Sequence, residues 1–162
     1  AYIDQRSIDK KVYPKQIAFN SIPFVDCFLE NNYTREEMKM VWETHKILDE
    51  NISVNPTAVR VPVLVGHAES IYIETEKEID IELAKNCLNE FAGISVIDDV
   101  QEVNFPTSFE HGHGTDDVYV GRIRKGLSKN NSLNLWVVAD NVRKGAALNS
   151  IQIAENLVGS EM

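Results

Sequence analysis

The apolar and polar positions change period several times along the chain. Residues 1–15 are charged and polar around Tyr2, Ile3 and Val12, which predicts a poorly ordered or non-native lead-in segment with little packing of its own. From Gln16 the apolar run QIAFNSIPFVD predicts a buried strand that ends at Pro23, because proline lacks a ladder donor and restricts its predecessor. Thr34 then opens REEMKMVWETHKILDE, and Thr34 with Glu37 three residues on forms a capping box ahead of a long helix. Met38, Val41, Trp42, His45 and Leu48 fall on one helical face, and Glu36, Lys39, Glu43 and Lys46 on another.

Two β-branched runs follow, TAVRVPVLVGH and SIYIETE, meeting at Gly66-His67-Ala68-Glu69 as two strands or as one strand with a bent extension. IDIELAKNCLNEFAG reads as a second helix, with Asp80 as N-cap and Gly93 as its stop. ISVID is a short strand, and DDVQEVNFPTSFEHGHGTD is irregular and polar. DDVYVGRIR and SLNLWVVADN read as neighbouring strands around the turn-rich GLSKNN, and KGAALNSIQIAENL closes as a helix. The sum is an α+β domain over residues 16–162, with a mixed, mostly antiparallel sheet and helices packed on one face. The other sheet face then needs a cover from another domain or a second copy.

Composition narrows the partners. The 162 residues are 43% hydrophobic, enough for one buried core, with a net charge of −9 and a pI near 4.9 that repels nucleic acid and anionic membranes. A few positioned cations still suffice to bind a small anion at short range. No stretch approaches the ~18 apolar residues of a membrane span, and the N-terminus lacks a signal-peptide core, so the expectation is cytoplasmic. Cys27 and Cys87 lie in apolar neighbourhoods and read as buried, reduced thiols. No Gly-rich nucleotide-binding turn such as GxGxxG is present.

Four groups have chemical potential, each with an ordinary alternative. Arg60 and His67 are compatible with one cleft if the strand ends near Gly66; the guanidinium suits a carboxylate and the imidazole can exchange a proton near pH 7. A strand arginine is more often a surface residue, and a lone histidine more often structural. Glu36 and Lys39 are side by side on the helix, which is ordinarily a solvated pair; functionally they would hold an amine and a phosphate or carboxylate. His111 and His113 in EHGH lack a third metal ligand at suitable spacing, so a mobile solvated loop is preferred and no metal is expected. VVADNVRKGAALNSIQIAE joins a strand to a helix through a turn whose free N–H groups suit an anion or a cofactor amide, or is an ordinary connection.

PKQIAFNSIP, YTREEMKMVWETHKIL, VRVPVLVGHAES, DDVYVGRIR and LNLWVVADNVRKGAALNSIQIAE resemble, in order and spacing, the C-terminal half of aspartate-β-semialdehyde dehydrogenases. The resemblance runs from about Tyr13 to about Leu157. It implies a fold like the C-terminal domain of glyceraldehyde-3-phosphate dehydrogenase-like enzymes. It also implies reduction of β-aspartyl phosphate to the semialdehyde with NADPH, reversibly with phosphate, through a cysteine thioester. That step serves lysine, threonine, methionine and diaminopimelate biosynthesis. By the resemblance His67 is the acid/base, Arg60 grips the substrate carboxylate, Glu36 contacts its amine and Lys39 binds phosphate. Asn141 is carried over as the contact to NADP, with Asn149 and Gln152 as alternatives. A homodimer through the sheet face is implied. The nucleophilic cysteine, its glutamine partner and the Gly-rich NADP site belong to the family's upstream half, so this chain is expected to be inactive alone. A non-catalytic paralogue or dimerisation module is the alternative. AYIDQRSIDKK departs from the family's usual connection, and His111 and His113 have no family role.

Overall fold

The structure, a computed structural model, describes residues 11–159. Its contacts divide the chain into two compact units, one ending at Pro62 and the other beginning at Val63. Residues 1–10, two-thirds of the predicted lead-in, lie outside the described residues.

The first unit is organised by the helix α1 (Arg35–Ile47). The predicted capping box is present: Thr34 Oγ1 accepts the Glu37 N–H at 3.3 Å, and Glu37 Oε2 accepts the Thr34 N–H at 2.7 Å. Glu37 is buried, and its other carboxylate oxygen accepts the Ala58 N–H at 2.9 Å. One side chain therefore caps the helix and fastens the segment that leads to Arg60. The Thr34 N–H, then that of Ala58, holds the Glu37 carboxyl below its ordinary value of 4.5.

The two strands predicted in this region do not form. Residues 16–23 contain a turn, with Asn20 N–H donating to Ile17 O at 3.0 Å and Phe19 at φ 57, and only Ile22 pairs, in an isolated bridge with Arg60. Before His67, which opens β1, the TAVRVPVLVGH run is likewise paired only at Arg60, because Pro56 and Pro62 flank that bridge and neither has an N–H to extend it. On α1, Trp42 and Leu48 of the predicted apolar face remain exposed, whereas Met38, Val41 and His45 are half-buried.

The second unit is built on a four-stranded sheet of β1 (His67–Glu74), β2 (Ile94–Val96), β3 (Val118–Lys125) and β4 (Ser132–Ala139), in the order β1-β4-β3-β2. Only β2 and β3 run parallel, so the mixed, mostly antiparallel α+β reading holds. The predicted joint at 67–69 is the start of β1 rather than a turn. α2 (Ile81–Glu90) begins where Asp80 accepts the Leu83 N–H at 2.9 Å, as its N-cap pattern required. Its end comes earlier than predicted, at Glu90, and Gly93 at φ 83 turns the chain into β2. The segment read as irregular contains a one-turn helix, α3 (Ser108–His111), capped by Thr107. α4 (Leu148–Gly159) is preceded by a π turn over Arg143–Ala147.

Strand register fixes the faces, since residues paired directly across a ladder share one side. His67, Ile71 and Ile73 lie with Ala139, Leu135 and Leu133; Ala68, Ser70 and Tyr72 lie with Val138, Trp136 and Asn134. The segment around α3 covers part of the second face, where the Trp136 indole N–H donates to Pro106 O at 3.0 Å and the His111 ring lies 4.7 Å from that of Tyr119. Val120, Ile123, Leu133 and Val138 form the apolar core. Both cysteines are free thiols, but Cys87 is exposed on α2 and Cys27 half-buried, so neither is the core residue its neighbourhood predicted.

Thr34→Ala should lower stability by about 1 kcal/mol, the usual cost of losing such a cap, in urea denaturation. The depressed Glu37 carboxyl contributes stability that is present above about its ordinary value of 4.5 and is lost as pH falls through its lower folded value. Glu37→Gln should therefore flatten the acid limb of the denaturation midpoint against pH. An unchanged slope would show that this carboxylate is not what acid titrates.

Candidate active site

Three predicted residues belong to the first unit. Glu36 and Lys39 form an ion pair on α1, with Nζ 3.2 Å from Oε2 and both side chains partly exposed. The hydrogen bond to Glu36 raises the Lys39 ammonium above its ordinary range, so it stays cationic at any physiological pH. Arg60 is fixed through its backbone, exchanging N–H···O bonds of 2.9 Å with Ile22, while its guanidinium carbon lies 5.1 Å from the centre of the Tyr13 ring. Glu37 ties the two sites together, because it bonds both the first turn of the helix bearing Glu36 and Lys39 and the residue two before Arg60.

Two belong to the second unit. His67 is the first residue of β1, exposed, opposite Ala139 of β4. Among the described residues its ring makes no hydrogen bond or ion pair. Asn141 follows β4 at the corner leading into the π turn; it is half-buried, and its amide likewise has no partner among the described residues. Of the alternatives to it, Gln152 has its amide oxygen accepting from Lys144 Nζ at 2.8 Å. The Asn141 amide thus offers one donor group and one acceptor with no competing partner among the described residues.

Between His67 and Asn141 lies a residue that the sequence reading passed over. Asp140 is only 3% exposed, yet its carboxylate is saturated: Oδ1 accepts the Val142 and Arg143 N–H groups at 2.8 and 3.0 Å, and Oδ2 accepts the Gly114 N–H at 2.7 Å. The Arg143 N–H foremost, with those of Gly114 and Val142 and the nearby His113, outweighs burial and holds the carboxyl below its ordinary 3.8. His113 Nδ1 is 3.9 Å from Oδ2, and Arg143 also pairs with Asp116 at 2.5 Å. The segment read as a mobile loop is thus tied down twice.

It is also pressed against the histidine's own turn. Gly66, at φ 81, lies so near Gly112 that a Cβ there would meet Gly112 Cα at 2.6 Å. The backbone of the EHGH segment is thus packed against the Gly66 turn; among the described residues no group of three His, Cys, Asp or Glu side chains is placed to hold a metal ion. A separate hollow of about 470 Å³, lined by Pro106, Phe109, Arg122 and Trp136, is almost wholly apolar and contains none of the predicted residues.

Residues 3–144 match the family described as semialdehyde dehydrogenase, dimerisation domain, and the chain belongs to it. The aspartate-semialdehyde dehydrogenase of Shewanella violacea is 58% identical over 151 residues, 93% of this chain and 44% of the relative. The crystal structure of aspartate semialdehyde dehydrogenase II from Vibrio cholerae complexed with ASA superposes with a TM-score of 0.90 at 48% identity, covering 99% of this chain and 47% of that one. The Candida albicans aspartate semialdehyde dehydrogenase with NADP gives a TM-score of 0.70 at 26% identity over 87% of this chain and 45% of that one. The chain corresponds to the C-terminal dimerisation domain of these enzymes and spans under half of their length.

The packing at Gly66 can be separated from its φ. Gly114 is also at positive φ, 72°, but a Cβ there meets nothing within 4 Å. Gly114→Ala should cost only the left-handed strain, about 1–2 kcal/mol, whereas Gly66→Ala should cost clearly more in urea denaturation. Equal costs would mean that the Gly66–Gly112 contact is not tight in solution.

Proposed function

We propose that this chain is the substrate-binding and dimerisation half of an enzyme that interconverts β-aspartyl phosphate and aspartate-β-semialdehyde with NADP(H) and phosphate. One observation carries the reading. Glu36, Lys39, Arg60 and His67, the set that the family resemblance assigns to the substrate, occur together in a chain 48% identical over 99% of its length to an enzyme solved with ASA. A scaffold kept for assembly alone has no need of that set.

Each residue has one task in this reading. Arg60 orients the substrate carboxylate through its planar fork, and Glu36 receives the amine. Lys39, permanently cationic, neutralises phosphate. His67, exposed and unengaged, takes the proton from the attacking thiol and returns it, the thiol being supplied by the family's other half. Hydride exchange is the chemistry that NADP(H) supplies when bound, and Asn141 holds its amide. This local cationic group draws in an anion that a chain of charge −9 otherwise repels.

The dimer would form through the sheet face that carries Ser70, Tyr72 and Asn134. Tyr72 is 46% exposed there, and Phe109, at the adjoining hollow, is 93% exposed.

The test joins this chain to a matching nucleotide-binding half and follows phosphate-dependent NADP reduction by the semialdehyde. His67→Ala should lower kcat by about 10²–10⁴-fold, and Arg60→Ala should chiefly raise KM. Normal kinetics in either variant removes that residue from its role, and turnover by the chain alone overturns the division of labour. Sedimentation of Tyr72→Glu should show a monomer where the parent chain is a dimer; an unchanged mass moves the interface elsewhere.

A further inference from the structure

We propose that Asp140 is a positioning residue for His67: its buried carboxylate fastens the Gly112–Gly114 turn against the Gly66–His67 corner and fixes where the imidazole starts. The inference rests on the reading of His67 as the acid/base and extends it to a residue that touches no substrate.

His67 sits at a weak point. It begins an edge strand, with β4 on one side only, and follows a glycine at φ 81 that gives the backbone unusual freedom. Hydrogen bonding within β1 and β4 holds the histidine from Ala139 onward but does not hold Gly66. Gly112, in backbone contact with Gly66, is what limits it.

Gly112 has to be held in turn. Its N–H donates to Ser108 O at 3.0 Å, which secures it to α3, and two residues later the Gly114 N–H donates to Asp140 Oδ2 at 2.7 Å. The other oxygen of Asp140 takes the first N–H groups of the π turn. A single carboxylate thus joins the turn beside His67 to the corner bearing Asn141. Because Asp140 is 3% exposed, water does not compete for these bonds, and removing an acceptor there leaves buried donors unmet. The Arg143–Asp116 pair adds a second tie, but with side chains 47% and 54% exposed it is the weaker one.

Asp140→Asn isolates the tie. Its amide oxygen still accepts from Val142 and Arg143, preserving the helix start, while its NH₂ faces the Gly114 N–H, donor against donor. In the full chain, amide hydrogen exchange read by NMR should show Gly114 protection falling at least about tenfold with Val142 and Arg143 little changed. In the joined enzyme, the same variant should lower kcat, counted per folded active site, about tenfold or more and leave KM for the semialdehyde near the parent value; the count per folded site is needed because loss of folded protein alone lowers the apparent kcat at unchanged KM. Should Asp140→Asn fail to fold, Asp116→Asn, which weakens the same turn at an exposed site, should give the smaller change in the same direction. Unchanged Gly114 exchange, or faster exchange with a normal kcat, overturns the proposal. Normal turnover in His67→Ala is a different failure: it removes the acid/base reading, and the positioning role falls with it.

Discussion

The pairing of β1 with β4 is the constraint on which the second unit's candidate site depends. Eight residue pairs run from His67↔Ala139 to Glu74↔Ser132, and a slip of one residue would carry the imidazole to the opposite sheet face. What prevents the slip is apolar alternation: Ile71 and Ile73 meet Leu135 and Leu133 on one side, and Tyr72 meets Asn134 on the other. The ladder also brings the end of β4 beside the start of β1. Asp140 and Asn141 therefore arrive at the histidine's corner because of pairing made up to seven residues away.

In the first unit the two readings of Glu36 and Lys39 are physically compatible. An exposed i,i+3 pair contributes only about 0.2–0.5 kcal/mol, so its partners separate or share a third group at little cost. An ordinary helix-surface pair of this kind therefore leaves both charges available to a ligand. In the resting protein each charge is kept in place by the other, and a ligand bearing both signs can take up each partner in turn. Arg60 is treated differently, with its backbone fixed by Ile22 and its guanidinium over the Tyr13 ring, so its position is held without a competing carboxylate.

Legibility followed the range of the interaction. α1 and α2 could be read because the Thr34–Glu37 box and the Asp80 cap act within three residues, and β3 and β4 because both alternate around a tight connection. The strands expected over 16–23 and 57–66 failed because apolar, β-branched composition does not supply a partner, and the prolines left one bridge where a ladder was expected. The candidate site residues rest on a family pattern rather than on spacing. Asp140 was missed because its tie to Gly114 spans 26 residues. A signal was nonetheless present, since an aspartate at the end of a strand and three residues before a helical turn is placed to accept the N–H groups at its start, and the glycines at 66 and 112 flag close backbone approach.

Both units use one device at the point where geometry matters. Glu37 and Asp140 are buried carboxylates whose two oxygens accept backbone N–H groups from separate segments, and in each case one of those segments begins a helical turn. A neutral amide cannot replace either one fully, because it offers one accepting atom where two are needed. The hydrogen bonds that create the joint also keep both groups ionised below their ordinary range. The carboxylates that fasten the backbone beside the proposed substrate residues therefore stay charged at neutral pH.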